Sequence, residues 1–133
     1  MEINYINPEN MAKPRGCSHA ISVSGNYKTI YIGGQNAVDE NGNLIGKNNL
    51  KEQTGQVLAN IEKILEKSGA KLENVVKLNI HILHGQNPAE GFRVFQQKWG
   101  INQNFPTITV LFVTGLANPD WLIEIDAVVV VPE

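Results

Sequence analysis

The carboxylates near the C-terminus are the best-placed chemical groups in the chain. Leu122-Ile123-Glu124-Ile125-Asp126-Ala127 alternates, so Glu124 and Asp126 fall on one face of a strand. A carboxylate in such a run either meets water at a strand end or is drawn into a pocket where it can move a proton. The residues alone leave both open. Cys17 and His19 form a conceivable nucleophile and base. A spacing of i and i+2 fits equally well a small buried thiol beside a strand start. Ser18, between them, has no distinctive context. His81 and His84 stand three apart, which on a strand turns them to opposite faces. They read as solvent-facing strand and loop residues. With one cysteine there is no second thiol for a zinc set, so no metal is expected. Gly33-Gly34 matches neither G-x-G-x-x-G nor the P-loop spacing, and no cofactor is expected.

The elements that must position these groups can be read from patterning. His19 to Val23 alternates, Ser24-Gly25-Asn26 is a turn signal, and Lys28 to Ile32 is β-branched and aromatic. These predict a hairpin, preceded by a polar arm of 17 residues carrying Pro8 and Pro14. Asn49 to Ser68 predicts a helix: Asn49 with Glu52 resembles a capping box. Leu50, Val57, Leu58, Ile61, Ile64 and Leu65 make one apolar face, and Gly69 ends it. From Asn74 to Leu83 the period changes to two. Asn87-Pro88-Ala89-Glu90 then offers an N-cap, a proline at N1 and a glutamate at N3. Phe92, Phe95 and Trp99 stripe that second helix up to Gly100.

Thr107 to Thr114 and Leu122 to Val131 predict two last strands, apolar on both faces. Two helices can cover only one face of a sheet. Another copy of the chain is the simplest cover for the other. The expectation is an α/β (α+β) domain spanning 1–133, in the order β-β-α-β-α-β-β. It has one sheet, two helices on one face, and an obligate homo-oligomer with sites in clefts between subunits.

Composition narrows the function. Hydrophobic residues make up 42% of the 133, a globular balance, and the formal net charge is -2. The 11 basic residues are scattered singly, which argues against a nucleic-acid footprint. Apolar runs fall far short of the roughly 20 residues of a membrane helix. Met1-Glu2-Ile3-Asn4 lacks signal-peptide features, and a lone thiol fits a reducing compartment. A cytoplasmic protein is expected.

Several segments together resemble the Rid family, also called YjgF/RidA and labelled endoribonuclease L-PSP. Gly16-Cys17-Ser18-His19-Ala20 resembles its Gly-Pro-Tyr-Ser-Gln-Ala segment, and Ile32-Gly33-Gly34-Gln35 its Ser-Gly-Gln strand end. Glu52-Gln53-Thr54 with Gln56-Val57-Leu58-x-Asn60-Ile61 is similar to its first helix, the most specific match. Ser68-Gly69-Ala70 with Val75-Val76-Lys77, then Phe105-Pro106 and Ile123-Glu124-Ile125-Asp126-Ala127, resemble its later strands.

The resemblance implies a chorismate-mutase-like homotrimer with inter-subunit clefts for small carboxylates. It also implies hydrolysis of enamine and imine intermediates to keto acids and ammonia, the 2-iminobutanoate/2-iminopropanoate deaminase type of reaction. Glu124 matches the glutamate thought to position or activate water. Two positions depart. Cys17 stands where the family has tyrosine. Pro106-Thr107-Ile108-Thr109 replaces Pro-x-Arg-Ser, so Ile108 holds the place of the arginine.

A guanidinium grips a carboxylate with two parallel hydrogen bonds. Losing one partner of a buried charge pair costs about 2–5 kcal/mol, roughly 30- to several-thousand-fold. Arg15 and Arg93 are the only arginines. Arg15 is the substitute within reach of the cleft mouth, and its plainer reading is a mobile arm residue.

Three functions follow as expectations. One is an imine or enamine hydrolase of altered specificity. In it Glu124 orients water, Thr107, Thr109 and amides near Gly33 and Gly34 receive the substrate, and Ile108 makes the pocket more apolar. The second is a non-catalytic trimer binding a metabolite or partner. The third, a ribonuclease, is disfavoured by the charge distribution.

Overall fold

The computed structural model describes residues 1–100 and 104–133. Strands β1 (Glu2–Ile6) and β2 (Ala20–Ser24) pair antiparallel with each other. A second sheet holds four strands in the order β3-β6-β4-β5: β3 (Tyr27–Gln35), β4 (Val75–Leu83), β5 (Thr107–Val113) and β6 (Ile123–Pro132). Helices α1 (Leu50–Lys67) and α2 (Pro88–Trp99) connect them, with a 3₁₀ turn at Leu72–Asn74. β4 and β5 run parallel, which needs the crossover that α2 supplies.

Local chemistry explains the helix ends. The Asn49 side chain accepts from the Glu52 N–H, and the Asn87 side chain from the Ala89 N–H. Gly69 follows α1 at φ +71, a conformation that costs glycine little. The apolar faces of both helices join Ile32, Leu78, Ile82, Ile123, Ile125, Ala127 and Val129 in one core. Both helices therefore lie on the same face of the four-stranded sheet. The α+β class and the two-helix layer agree with the expectation.

Two details of the topology differ. The first is that Glu2–Ile6, expected within an extended arm leading into the fold, forms a strand in register with β2, Ile3 opposite Val23 and Tyr5 opposite Ile21. The second is that the expected single sheet is two sheets, and the order gains a leading strand. β2 takes β1 as its partner, while β3 takes β6. The Ser24-Gly25-Asn26 turn, with Gly25 at φ +93, joins two strands that do not pair with each other. The run Val128–Val131 on β6 gives β3 a more apolar partner than β2 offers.

Among the described residues neither helix covers the opposite face of this sheet, although Val130 at one end of it is buried. Register and alternation place Tyr31, Asn79, His81, Thr109, Leu111, Glu124, Asp126 and Val128 on it. Tyr31 is 79% exposed and Leu111 52%.

Candidate functional site

Glu124 stands on the open face of β6, half-buried. Its carboxylate accepts a hydrogen bond from Asn36 Nδ2 at 3.2 Å. It lies across Gly34 so closely that a Cβ there would come within 2.7 Å of Glu124 Cδ. Any larger residue there would push the carboxylate out of this position. The β3–β6 register shifts between Ile32 and Gln35, so Gly33 and Gly34 have no opposite residue on β6. Such bulges re-aim side chains and free backbone groups from a ladder. Directly across β4, His81 faces Glu124, and its Nδ1 is buried with no hydrogen-bond partner among the described residues. One step along, Asp126 accepts from Asn79 Nδ2 at 2.8 Å. Glu124 and Asp126 do share a face, as their spacing predicts.

The polar residues of α1 hold this arrangement in place. Gln53, fully buried, donates through Nε2 to the Gly46 and Asp120 carbonyls, and its Oε1 accepts from the Leu122 N–H. It thereby ties the helix start to the loop before it and to the approach to β6. Asn60 Nδ2 donates to the Asn36 and Val38 carbonyls, fixing the loop from which Asn36 reaches Glu124. The helix motif that looked most specific in the sequence is thus a set of clamps on the two segments that hold the carboxylate.

The other candidates gather elsewhere. A cavity of about 220 Å³ lies on the helix side of the sheet, bounded by Arg15, Cys17, Ile108 and core side chains of α1, α2, β4 and β6. Ser18, next to Cys17, ties this segment to the residues just before β5. The Ser18 hydroxyl donates to the Phe105 carbonyl at 2.6 Å, and its N–H donates to the Pro106 carbonyl at 3.0 Å. Ile108 is level with Leu78 on β4, which is level with Ala127 on β6, all on the helix side. Glu124 belongs to the alternate row. Within one chain, Ile108 and Glu124 therefore point to opposite faces of the sheet.

The structure thus brings Arg15, Cys17 and Ile108 together, and separately Gly33, Gly34 and Glu124. Thr109 lies on the open face and is exposed. The Thr107 hydroxyl donates to the Val76 carbonyl at 2.9 Å, so it serves the strand pair. The His19 ring bonds the Ala12 carbonyl at 2.8 Å, which engages it with the N-terminal segment. His84 is exposed past the end of β4. His81, expected to face solvent, is half-buried. Asn36 is the group a reading of the sequence passes over, while Ser18 had no distinctive context there and His81 was expected in solvent. The two glycines before Gln35-Asn36 were the available signal for Asn36. Among the described residues, no three His, Cys, Asp or Glu side chains converge as a metal site, and no helix is long and apolar enough to cross a membrane.

Comparison with known proteins gives a consistent picture. The family model described as Endoribonuclease L-PSP matches residues 13–131. A RutC family protein of Pyrococcus abyssi is 36% identical over 129 residues, covering 96% of this chain and 97% of that protein. The crystal structure of YyfB from Yersinia pestis, a Rid protein of unknown function, superposes with a TM-score of 0.83 at 36% identity. It covers 97% of this chain and 98% of that one. RidA from an Antarctic Psychrobacter gives a TM-score of 0.69 at 30% identity, covering 86% and 87%.

Proposed function

The chain belongs to the endoribonuclease L-PSP family, that of the RutC and Rid proteins, and from that premise we propose that it is an imine or enamine hydrolase whose site is completed by two copies of the chain. The observation that supports this most is the carboxylate of Glu124, seated on Gly34 and held by Asn36 on an otherwise uncovered sheet face. A homotrimer covers that face, buries Tyr31 and Leu111, and sets the Glu124 row of one copy toward the Ile108 cavity of the next. Single apolar residues at a surface are ordinary. Exposed apolar residues on both sides of a polar row, on a sheet face that neither helix covers, fit a partner better than water.

In this reading the imine carbon is attacked by water while Glu124 takes the water proton. The proton passes to nitrogen, and the carbinolamine collapses to a carbonyl compound and ammonia: R₂C=NH + H₂O → R₂C=O + NH₃. Backbone amides at the Gly33–Gly34 bulge orient the reacting group. No cofactor takes part. Scattered cations and a partly apolar site speak against cleaving RNA.

The test is ammonia release from imines generated in situ by an amino-acid oxidase. Acceleration over buffer is expected, abolished in Glu124→Gln. Rates equal to buffer across several amino acids overturn the reading. Ile108, lacking any donor, favours a second reading as a binding trimer without turnover. Thermal stabilisation by a metabolite without ammonia release selects it.

A further inference from the structure

We propose that the cavity behind Ile108 is a side-chain pocket that selects 2-imino acids with a bulky branched apolar side chain, their carboxylate held by Arg15 at its mouth. This rests on the hydrolase reading and names the substrate class.

The walls carry the first half. Leu58, Ile80, Phe95, Ile108, Val110 and Ile123 surround a space of about 220 Å³ with carbon. Of the polar side chains on its boundary, Thr54 donates its hydroxyl to the Leu50 carbonyl at 2.7 Å. Cys17 offers only a weak partner. Water inside such a space finds few hydrogen bonds, and an apolar group displaces it readily.

Arg15 carries the second half. It is the only charged residue on the boundary, and among the described residues it forms no ion pair. A guanidinium beside an apolar hole fits a ligand with a carboxylate at one end and a hydrocarbon branch at the other. Ile108 then takes on a meaning beyond loss. An arginine there would fill the cavity with its own stem. Isoleucine leaves the room, and the acid grip moves to the rim.

Hydrolysis converts R–C(=NH)–COO⁻ and water into R–C(=O)–COO⁻ and ammonia. The keto acid keeps both recognised groups and is stable, so it probes the pocket without turnover. Isothermal titration of the full-length protein with 4-methyl-2-oxopentanoate and with pyruvate tests the proposal. At about fourfold per buried methylene, the branched acid is expected to bind roughly fiftyfold more tightly. Arg15→Ala is expected to weaken both acids by about tenfold and leave their ratio unchanged. Ile108→Arg is expected to shrink the ratio by filling the cavity.

Equal affinities for the two acids, no binding of either at millimolar concentration, or an Arg15→Ala variant that binds like the parent overturns the pocket. Selective binding with no ammonia release from any imine leaves the pocket standing and removes the hydrolase reading. Ammonia release with equal affinities does the reverse.

Discussion

The two faces of the four-stranded sheet differ in kind. On the helix side, Ile108 and its neighbours line a cavity walled mostly by carbon, with Arg15 as the one charged residue on its boundary. On the open side, Glu124, Asn36, Asp126, Asn79 and His81 form a polar row bordered by the exposed Tyr31 and Leu111. Binding volume and ionisable chemistry are thus separated by the thickness of a sheet. A single chain cannot direct both at one small molecule. Two chains can, which is the physical reason a shared site follows from the proposed reading.

The largest expected effect tests whether the open side does the chemistry. Glu124→Gln keeps the shape and the contact with Gly34 but removes the base. Turnover is expected to fall by about 10²–10⁴, the usual range for a positioned acid–base group. Circular dichroism is expected to stay unchanged. A variant that retains full activity would shift the chemistry to the other face.

Next comes the clamp that serves the open side. Gln53→Ala removes three hydrogen bonds from a fully buried position and strands a buried N–H and two carbonyls. About 2–4 kcal/mol of stability should be lost, read as a lower melting temperature. Ser18→Ala is the matching change on the cavity side. It removes one short bond to the Phe105 carbonyl, for about 1–2 kcal/mol, with weaker keto-acid binding as the sharper readout.

The smallest effect lies outside both regions. Burial, and then the Glu73 carboxylate, raise the Tyr5 phenol above its ordinary 10.0. The unfolded chain thus gives up this proton at lower pH than the folded one. The stability tied to neutral Tyr5 is whole below pH 10 and drains away as pH climbs through the folded value. Tyr5→Phe should flatten that alkaline slope in denaturant titrations. An unchanged slope would assign it to other groups.

Much of this was legible in the residues. The bounds of α1 and α2 followed from Asn49, Gly69, Asn87 and Pro88, because capping is decided within one turn. The shared face of Glu124 and Asp126 followed from strict alternation. What stayed hidden depends on partners distant in the chain. Asn36 meets Glu124 across 88 positions, and Ser18 meets Phe105 across 87. β1 was obscured for the same reason. Ile3 and Tyr5 alternate correctly, but only the β2 edge makes a strand of them. The exchange of arginine for Ile108 could be seen in sequence. That Arg15 borders the same cavity could not.

The separation of the two half-sites is tested most directly by complementation. Glu124→Gln disables the open side, and Ile108→Trp plugs the cavity. Each alone should be inactive toward a leucine-derived imine. Unfolded together in equal amounts and refolded, they form interfaces that pair an intact carboxylate from one parent with an intact cavity from the other. About a quarter of the parental activity should return, since each half is intact in half the copies. Activity that stays at the level of the separate variants would contradict a site shared between chains.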